Sequence, residues 1–487
     1  MAAKQMRTAR TRKRKISWYW IFFLTLIAIG LVSGTVLVAL LKLNVAPRTL
    51  ASYLAHRGEG HSRLITYPVN KFAALLQRLD RGPELSAALE YPAWAGAQKT
   101  ARTETQPAKF LIDRPEALQT ALDAAQPGDR IEFLPGVYRF HGEAINIRRG
   151  GTETAPITLA AHQFGDVTME FDMLEGFHIN APFWHFENLT IRGVCENDGN
   201  CEHAFHIVGA ARGVEIRNNR IEDFNAQIKI NGEGGHFPDN GIIEGNSLTA
   251  SHVRRTDNPV TVIDLVAVNN WQIRHNLIAD FIKRDGDGIS YGAFAKGAGS
   301  GNRFESNLVL CEYRLRGEPG QRVGLSLGGG GSTDQYCRDH RCITEQDGGV
   351  LHNNVVSFCS DAGIYLNRSA TSQLTHNILL DTAGVELRGA ETNGRFSGNL
   401  LDGGIRIIDD AELETSDNQI AGRLAAYFGY HPVRALFRDA ASLDLTWAGA
   451  PPAGGKPQPG EIDFCGRPRS AQPILGAFEN FAACLKH

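Results

Sequence analysis

The segments IRNNRI (216–221), IEGNSL (243–248) and IRHNLI (273–278) share one pattern, in which an asparagine lies between two short apolar runs. Nine segments show this pattern with some variation. Their asparagines are Asn188, Asn219, Asn246, Asn276, Asn307, Asn354, Asn377, Asn399 and Asn418. A repeat of roughly 20–30 residues built from short strands indicates a solenoid, in which each coil packs only on its neighbours.

We therefore predict an all-β fold, a right-handed parallel β-helix (a pectate-lyase-like solenoid) with three strands per coil. Each asparagine is expected at a sharp bend, because Asn tolerates left-handed backbone geometry and its amide can hydrogen-bond to the coils above and below. Apolar spacing over 114–126 predicts an N-terminal cap helix that protects the first coil from edge pairing. The longest gap between repeats predicts an insertion at 312–349.

The composition is that of a folded protein. The 487 residues are 43% hydrophobic and 21% charged, which excludes a disordered chain. The formal net charge is -3, but the first 15 residues hold a basic block without any acid: Lys4, Arg7, Arg10, Arg12, Lys13, Arg14 and Lys15. The rest of the chain is therefore acidic, and we expect no nucleic-acid binding.

An uncharged apolar run extends from Trp18 to Leu41. A run of this length can cross a bilayer as one helix, which we place at 18–42. The basic block before it predicts a cytoplasmic N-terminus, so the body lies in the periplasm or outside the cell, anchored to the inner (plasma) membrane by a single pass. The alternative is a cleaved signal peptide, which is disfavoured because the run is long and no small-x-small cleavage site follows.

The eight cysteines fit an oxidising compartment. Two pairs close short polar loops, Cys195 with Cys201 and Cys337 with Cys342. Cys311 and Cys359 have near-equivalent places in consecutive repeats, and Cys465 and Cys484 bracket the C-terminal segment. A zinc site is the competing interpretation, but the chain has no CxxC motif.

These features predict five regions. They are a basic tail at 1–17, a transmembrane helix at 18–42, a stalk or linker at 43–110, the β-helix at 111–425, and an extension at 426–487 that closes the solenoid.

Aligning the repeats also aligns one strand in each coil, and strand alternation then defines outward-facing columns. The first column contains His206, Lys229, Asp264, Ser290, Ser326, Tyr365 and Glu386. The second contains Val208, Asn231, Val266, Gly292, Gly328, Asn367 and Arg388. We predict a groove for an extended polymer on this face. Its binding residues are His206, Asn231, Asp264, Tyr365, Asn367 and Arg388, and Gly292 and the run 328–331 would let a ligand approach the backbone. The alternative is an ordinary solvated sheet face.

Two clusters of residues are candidates for metal binding or catalysis. Asp285 and Asp287 could share a hard cation such as Ca²⁺ through oxygen ligands, although a turn with solvated acids also fits. The basic residues are Lys229, Lys283, Arg284, Lys296 and Arg322. A cation beside a uronate carboxylate acidifies the neighbouring proton, and a base can then remove it.

The stretch from Ala117 to about Asn418 resembles the right-handed β-helix polysaccharide lyases of the chondroitinase B and alginate lyase type. The resemblance is carried by the cap helix followed by PGDRIEFLPGVYRF, by TAPITLAAH, and by the closing segment DFCGRPRSAQPILGAFE (463–479). It implies a calcium-binding acidic pair, matched by Asp285 and Asp287, then a catalytic lysine and, one coil later, an arginine. In simple register these two positions hold Gly292 and Gly328.

The first functional hypothesis is a membrane-anchored protein that acts on an acidic polysaccharide by Ca²⁺-assisted β-elimination or C5 epimerisation of uronate residues. Lys296 is the preferred base and Lys229 the second choice, with Arg322 neutralising the carboxylate. A hydrolase would need paired carboxylates, for which Asp264 and Asp287 are candidates. The alternative from another class is a non-catalytic scaffold that binds a polysaccharide or an envelope protein.

Overall fold

The computed structural model describes residues 18–43, 45–58, 60–83, 89–99, 107–329, 332–454 and 460–486. The chain divides into two compact units, Met1–Val45 and Ala46–His487. The described part of the first unit contains helix α1 (Trp18–Leu43), while the predicted basic tail at 1–17 lies outside the described residues. Over the residues that the structure describes, no helix is both long and apolar enough to cross a membrane.

The second unit is built on three parallel sheets that wind around one core, so the predicted β-helix is confirmed. In the described part of the chain, sheet A has 12 strands, sheet B has 11 and sheet C has 10. At ~4.8 Å per coil, sheet A is about 50 Å long. Each coil runs from a strand of sheet C to one of sheet A and then one of sheet B.

The strand bounds follow sheet by sheet. Sheet A contains Phe110–Ile112, Arg130–Phe133, Ile157–Ala161, Trp184–Glu187, Glu215–Arg217, Ile242–Glu244, Gln272–Arg274, Arg303–Glu305, Val350–His352, Ser372–Thr375, Asn393–Ser397 and Glu412–Ser416. Sheet B contains Gly136–His141, Val167–Asp172, Thr190–Gly193, Arg220–Glu222, Ser247–Thr249, Leu277–Ala279, Leu308–Leu310, Val355–Ser357, Ile378–Leu380, Leu400–Leu401 and Gln419–Ile420. Sheet C contains Ile145–Ile147, Glu175–Ile179, His203–Val208, Ala226–Asn231, Val260–Val266, Ile289–Lys296, Gln321–Leu327, Ile364–Asn367, Gly384–Arg388 and Gly404–Ile408. Two smaller sheets are formed by Gly299–Ser300, Gln346–Asp347 and Ser369–Ala370, and by the antiparallel pair Phe437–Asp439 and Asp444–Trp447.

A ladder of buried asparagine amides lies at the turn between sheets A and B. Each amide nitrogen donates to the amide oxygen of the next asparagine at 2.9–3.1 Å, from Asn219 to Asn418. The predicted hydrogen bonds between coils are therefore confirmed.

Two details of the predicted ladder are wrong. The left-handed residue in each turn is the one before the ladder asparagine, such as His275 or Ser306. Asn188 has this left-handed position, and Leu189 occupies the ladder position of that coil, where its N–H donates to the Asn219 amide oxygen at 2.9 Å. The cause is a one-residue offset: Asn188 is the third residue of its segment FENLTI, not the fourth.

Helix α4 (Glu116–Ala124) closes the N-terminal end of the β-helix, as the apolar spacing predicts. Leu118, Ala121 and Leu122 are buried in the same cluster as the first strands. The helix therefore covers apolar side chains that the first coil would otherwise expose to water.

The predicted stalk is not a separate region. Helices α2 (Pro47–Gly58) and α3 (Arg63–Arg81) belong to the same compact unit as the β-helix. Buried Arg48 donates to the carbonyls of Cys359 and Asp381 at 2.7 Å each, and its guanidinium pairs with Asp80. The sequence pattern did not predict this docking, because part of it consists of ion pairs between residues far apart in the chain.

The C-terminal region covers the outer face of sheet B. Outward residues such as Leu308 and Ile378 pack in one cluster with Phe437, Phe478 and Phe481. This region also contains the short helix α5 (Arg423–Ala426).

All four predicted disulfides are present: Cys195–Cys201, Cys311–Cys359, Cys337–Cys342 and Cys465–Cys484. Cys311–Cys359 joins neighbouring coils across the longest gap between repeats, where the insertion leaves the solenoid.

Candidate functional site

The outer face of sheet C presents a column of side chains, one from each of the nine coils that follow the first strand of the sheet. Its order along the axis is His178, His206, Lys229, Asp264, Phe294, Ser326, Tyr365, Glu386 and Arg406. Neighbours in this column are one strand spacing apart, ~4.8 Å at the backbone. Imidazole, ammonium and carboxylate groups are therefore close enough to act on one sugar unit.

The predicted column is wrong at one position. Ser290 pairs with Val260 and Arg322, and Phe294 takes its place in the column. The strand Ile289–Lys296 is eight residues long, and its halves ISYG and AFAK both suit a strand. Either half can be aligned with the strands of the neighbouring coils, so the sequence pattern fitted two registers.

The corrected register brings Lys296 onto the face of sheet C, opposite Val266 in the second column. Its ammonium lies 4.4 Å from the centre of the Phe294 ring, a favourable cation–π position. Lys296 ends this strand, about 23 Å from Ile289 at ~3.3 Å per residue, and Asp287 precedes Ile289. Lys296 therefore does not join Asp285 and Asp287 in one site.

The predicted glycine floor of the groove is also wrong at Gly292. A Cβ atom there would meet Phe281 and Val309 of the core at 3.1 Å each. The missing side chain therefore serves packing inside the solenoid and not access for a ligand. Gly328 has φ 71° and packs against the backbone of Asn367, while residues 330–331 lie outside the described part of the chain.

A cluster of one carboxylate and three imidazoles lies at the N-terminal part of this face. His206 Nδ1 lies 2.9 Å from Glu175 Oε1, and His178 Nδ1 lies 3.2 Å from Glu175 Oε2. The His203 ring centre is 5.1 Å from that of His206. Glu175, His203 and His206 each offer one ligand atom, and these three atoms lie within 4.8 Å of one another.

The cluster has distinct protonation states. Hydrogen bonds from His178 and His206 hold the pKa of Glu175 well below its usual range. The same bond to Glu175 raises the pKa of His178. Burial, with the neighbouring charges of His206 and Lys229, lowers the pKa of His203 to about 4. Glu175 is thus ionised and His203 neutral near pH 7.

Lys229 follows His206 in the column and forms an ion pair with Asp264 on the next coil. The second oxygen of that carboxylate, Asp264 Oδ1, is buried and accepts no hydrogen bond from the described residues. Lys229 keeps more exposure than Asp264, with side-chain values of 22% and 9%. The ammonium therefore faces the groove, and the carboxylate supports it from one side.

The remaining predicted binding residues fall into two groups. Asn231 Oδ1 lies 2.9 Å from His206 Nε2, so Asn231 belongs to the histidine cluster. Further along, Asn367 donates to Tyr365 Oη at 2.8 Å, and burial raises the pKa of that phenol. Arg388 lies 3.6 Å from Glu386, which also pairs with Arg406 of the next coil. These residues could contact a polymer several coils away from His206.

Arg322 is not on the groove face. Its side chain is fully buried, its guanidinium donates to the carbonyls of Glu318 and Pro319 at 2.9 Å each, and it lies 3.5 Å from Glu312. These contacts hold the loop between two coils. A substrate carboxylate cannot reach this guanidinium without unfolding that loop, so the structure contradicts the expected neutralising role.

The acidic pair implied by the resemblance does not fit calcium. Asp287 Oδ1 already accepts from the ammonium of Lys283 at 2.8 Å and from the N–H of Ile289 at 3.0 Å. Asp285 is exposed, and among the described residues neither aspartate belongs to a cluster of three ligand atoms that could hold a metal ion. A lysine ammonium stands where a shared cation would have to bind.

The hydrolase pair Asp264 and Asp287 is likewise separated. Asp264 lies opposite Phe294, which is about 17 Å along the strand from Ile289 at ~3.3 Å per residue, and Asp287 precedes that strand. Glycosidase carboxylates are only ~5–10 Å apart.

The disulfide-closed insertion borders one side of the groove. Arg338 of this insertion pairs with Asp239 at 2.8 Å, and its guanidinium lies 4.4 Å from the Phe237 ring centre. Phe237 packs with Tyr291 and Phe294 next to the column. Aromatic side chains near a polar groove suit the apolar faces of sugar rings.

No protein-family model matches the chain, and no curated protein matches it. Among solved structures, pectate lyase Pel9A aligns with a TM-score of 0.50 and 13% identity, covering 77% of this chain and 96% of that chain. The chain is a parallel β-helix of the pectate-lyase type. Two further structures are more distant. An alginate lyase from Paenibacillus sp. str. FPU-7 aligns with a TM-score of 0.36 and 14% identity, covering 64% of this chain and 95% of that chain. The PL6 family polysaccharide lyase Pedsa3628 from Pseudopedobacter saltans aligns with a TM-score of 0.35 and 12% identity, covering 70% of this chain and 100% of that chain. At these identities the likeness shows the fold alone.

Sequence reasoning missed Glu175, His178 and His203. The aligned strands began with the one that contains His206, so the strand of Glu175 and His178, one coil earlier, was left out. Extending the alignment of outward residues back by one coil would have found His178. His203 has the same parity as the inward residue Phe205, so alternation assigned it to the core.

Proposed function

We propose that this chain acts on an acidic polysaccharide that lies along the outer face of sheet C, and that the reaction begins with removal of the C5 proton of a uronate unit. The observation that carries the proposal is the position of Lys229, between the histidine cluster and Asp264 on three successive coils. The reaction ends in β-elimination or in C5 epimerisation.

The roles follow from the contacts. His178, whose pKa is raised by Glu175, donates to the uronate carboxylate from the ring nitrogen that does not contact Glu175, and so acidifies the C5 proton. Lys229 passes its ammonium proton to Asp264, whose second oxygen accepts no hydrogen bond from the described residues, and the resulting amine takes the C5 proton. In elimination the C4–O bond then breaks, the leaving oxygen takes a proton from the Lys229 ammonium, and a C4=C5 double bond forms in the product. Lys229 then recovers its proton from Asp264.

Other sugar units of the same polymer contact residues further along the face: Lys296, Phe294, Tyr365 and Arg388. Lys296 is three coils from His206, about 14 Å at ~4.8 Å per coil, so it suits the carboxylate of another sugar unit. Calcium has no step here, because the acidic pair implied by the resemblance is occupied by Lys283.

The test is to incubate the full chain in mild detergent with a panel of uronate polymers. Ultraviolet absorbance detects the unsaturated elimination product, and deuterium uptake at C5 from D₂O detects epimerisation. Lys229→Ala should abolish both signals. Lys109→Ala, an exposed lysine that pairs with Asp129 far from the groove, is the matched control and should retain them.

The second candidate function is a non-catalytic scaffold. It is favoured because Lys296 and Arg322 lie apart from one another and from the histidine cluster. It predicts polymer retardation in affinity electrophoresis with neither absorbance nor deuterium uptake. Wild-type turnover of any polymer would rule it out.

We also propose that residues 18–42 anchor the chain to the plasma membrane, with the β-helix on the periplasmic or extracytoplasmic side. The uncharged apolar run and the basic block before it support this, as do exposed apolar side chains on α1 such as Trp18, Phe22 and Leu31. The chain should stay in the membrane fraction after carbonate extraction, and protease added to intact spheroplasts should cleave its body. Release by carbonate would refute the anchor.

A further inference from the structure

Three side chains on two neighbouring coils have the arrangement of a metal site. Glu175 starts one strand of sheet C, and His203 and His206 lie on the next strand, paired to it in register. Their ligand atoms lie within 4.8 Å of one another. Metal–nitrogen bonds of ~2.0–2.1 Å need the donors somewhat closer, so side-chain rotations of about 1 Å would close the site.

Each ligand atom is backed by a partner on the other atom of the same group. His203 Nδ1 lies 3.3 Å from the carbonyl of Ala226, which leaves Nε2 to bind. His206 Nε2 is held by Asn231, and Glu175 Oε2 is held by His178. Such outer partners are typical of metal-binding histidines and carboxylates, because they fix the tautomer and the ring orientation.

The contact between His206 and Glu175 needs a positive charge. Both ring nitrogens of His206 face an acceptor: Nε2 lies 2.9 Å from Asn231 Oδ1 and Nδ1 lies 2.9 Å from Glu175 Oε1, so a neutral ring turns a lone pair toward one of them. A lone pair and an acceptor oxygen repel one another unless a proton or a metal ion lies between them. The geometry of this pair is therefore suited to binding a cation.

We propose that Glu175, His203 and His206 bind one divalent transition-metal ion of the zinc class, with an open coordination position toward the groove for an oxygen ligand such as a carboxylate. Two imidazoles and one carboxylate suit zinc and its neighbours, whereas Ca²⁺ takes six to eight oxygen ligands. This site is distinct from the acidic pair that the resemblance implies, both in its residues and in its metal. The inference does not rest on the proposed reaction.

The test is isothermal titration of the chelator-treated full chain with ZnCl₂ and, separately, with CaCl₂. We expect one equivalent of zinc and no calcium binding. His203→Ala and His206→Ala should each weaken zinc binding more than about 100-fold, and Asn231→Ala by about 10–100-fold, the usual effect of removing an outer partner. His141→Ala, an exposed imidazole 3.5 Å from Asp172, is the matched control and should bind as the wild type does.

A second readout separates binding from misfolding. Co²⁺ in place of zinc should give visible absorption bands of a four-coordinate ion, and His203→Ala should lose them while its metal-free melting temperature stays near that of the wild type. Calcium binding tighter than zinc, or zinc binding unchanged in both histidine variants, would overturn the proposal. Lys229→Ala should keep zinc binding whether or not it loses activity, so the failure of one proposal is distinguishable from the failure of the other.

Discussion

Replacing a ladder asparagine should cost much more stability than replacing the asparagine beside the ladder. The side chain of Asn307 makes four hydrogen bonds. It donates to Ile273 O at 2.8 Å and to Asn354 Oδ1 at 3.0 Å, and it accepts from the backbone and amide nitrogens of Asn276 at 3.1 and 3.0 Å. Asn307→Ala removes four buried hydrogen bonds, and at ~1 kcal/mol each the free energy of unfolding should fall by about 4 kcal/mol.

The matched control is Asn188→Gly. Asn188 comes from the same sequence motif, but its side chain only accepts one bond, from Asn218 Nδ2 at 2.7 Å, and glycine keeps its left-handed backbone. We expect a loss of about 1 kcal/mol. Urea unfolding followed by circular dichroism gives both values. If the two variants lose the same stability, the ladder is not what holds neighbouring coils together.

Three further predictions follow from buried groups. Burial alone would raise the pKa of Asp381, but the positive charges of Arg81 and Arg48 outweigh burial and hold that pKa well below its usual range. The ionised carboxylate therefore stabilises the folded chain above pH ~4, and this stabilisation is lost as the pH falls below ~4. Arg48→Ala should therefore flatten the decline of the melting temperature between pH 5 and 2 measured by calorimetry, and an unchanged slope would contradict the assignment. Gly292→Ala should destabilise by ~1–3 kcal/mol because its Cβ overpacks the core, and a stable variant with weaker polymer binding would instead support the groove floor. Cys337→Ser should lower polymer affinity in affinity electrophoresis with little change in melting temperature, since that disulfide closes only the groove wall; equal affinity would show that the wall makes no contact.

The architecture could be predicted because its signal repeats. A single asparagine says little about the fold. Eight asparagines at quasi-regular spacing say more, because few folds provide hydrogen-bond partners for all eight side-chain amides. The four cysteine pairs were also predictable, because two close short loops and one joins equivalent places in neighbouring coils.

The site could be predicted only in part, because its signals do not repeat. His206, Lys229 and Asp264 were found since each lies at the same alternating position as its neighbours. Lys296 was misplaced because both halves of an eight-residue strand could be aligned with the repeats, and the sequence pattern favoured the wrong half. His203 was missed because its parity assigns it to the core.

Arg322 and the docked helices show a second limit. A buried arginine and an exposed one look alike in a sequence, and only the position of its partners decides the difference. Arg322 finds Glu312, and Arg48 finds Asp80 and Asp381, across long stretches of chain. Periodicity carries no information about such contacts.

In the ladder, the distance between neighbouring coils does not depend on the number of residues in a repeat. Sequence separations between bonded asparagines range from 19 to 47 residues, yet the amide contacts stay within 2.9–3.1 Å. Any surplus chain must therefore leave sideways, as the disulfide-closed insertion does. Loops that border the groove can be lengthened, shortened or exchanged without disturbing the frame, so engineering of polymer selectivity can begin with the segment between Asn307 and Asn354 while the rest of the solenoid is left as it is.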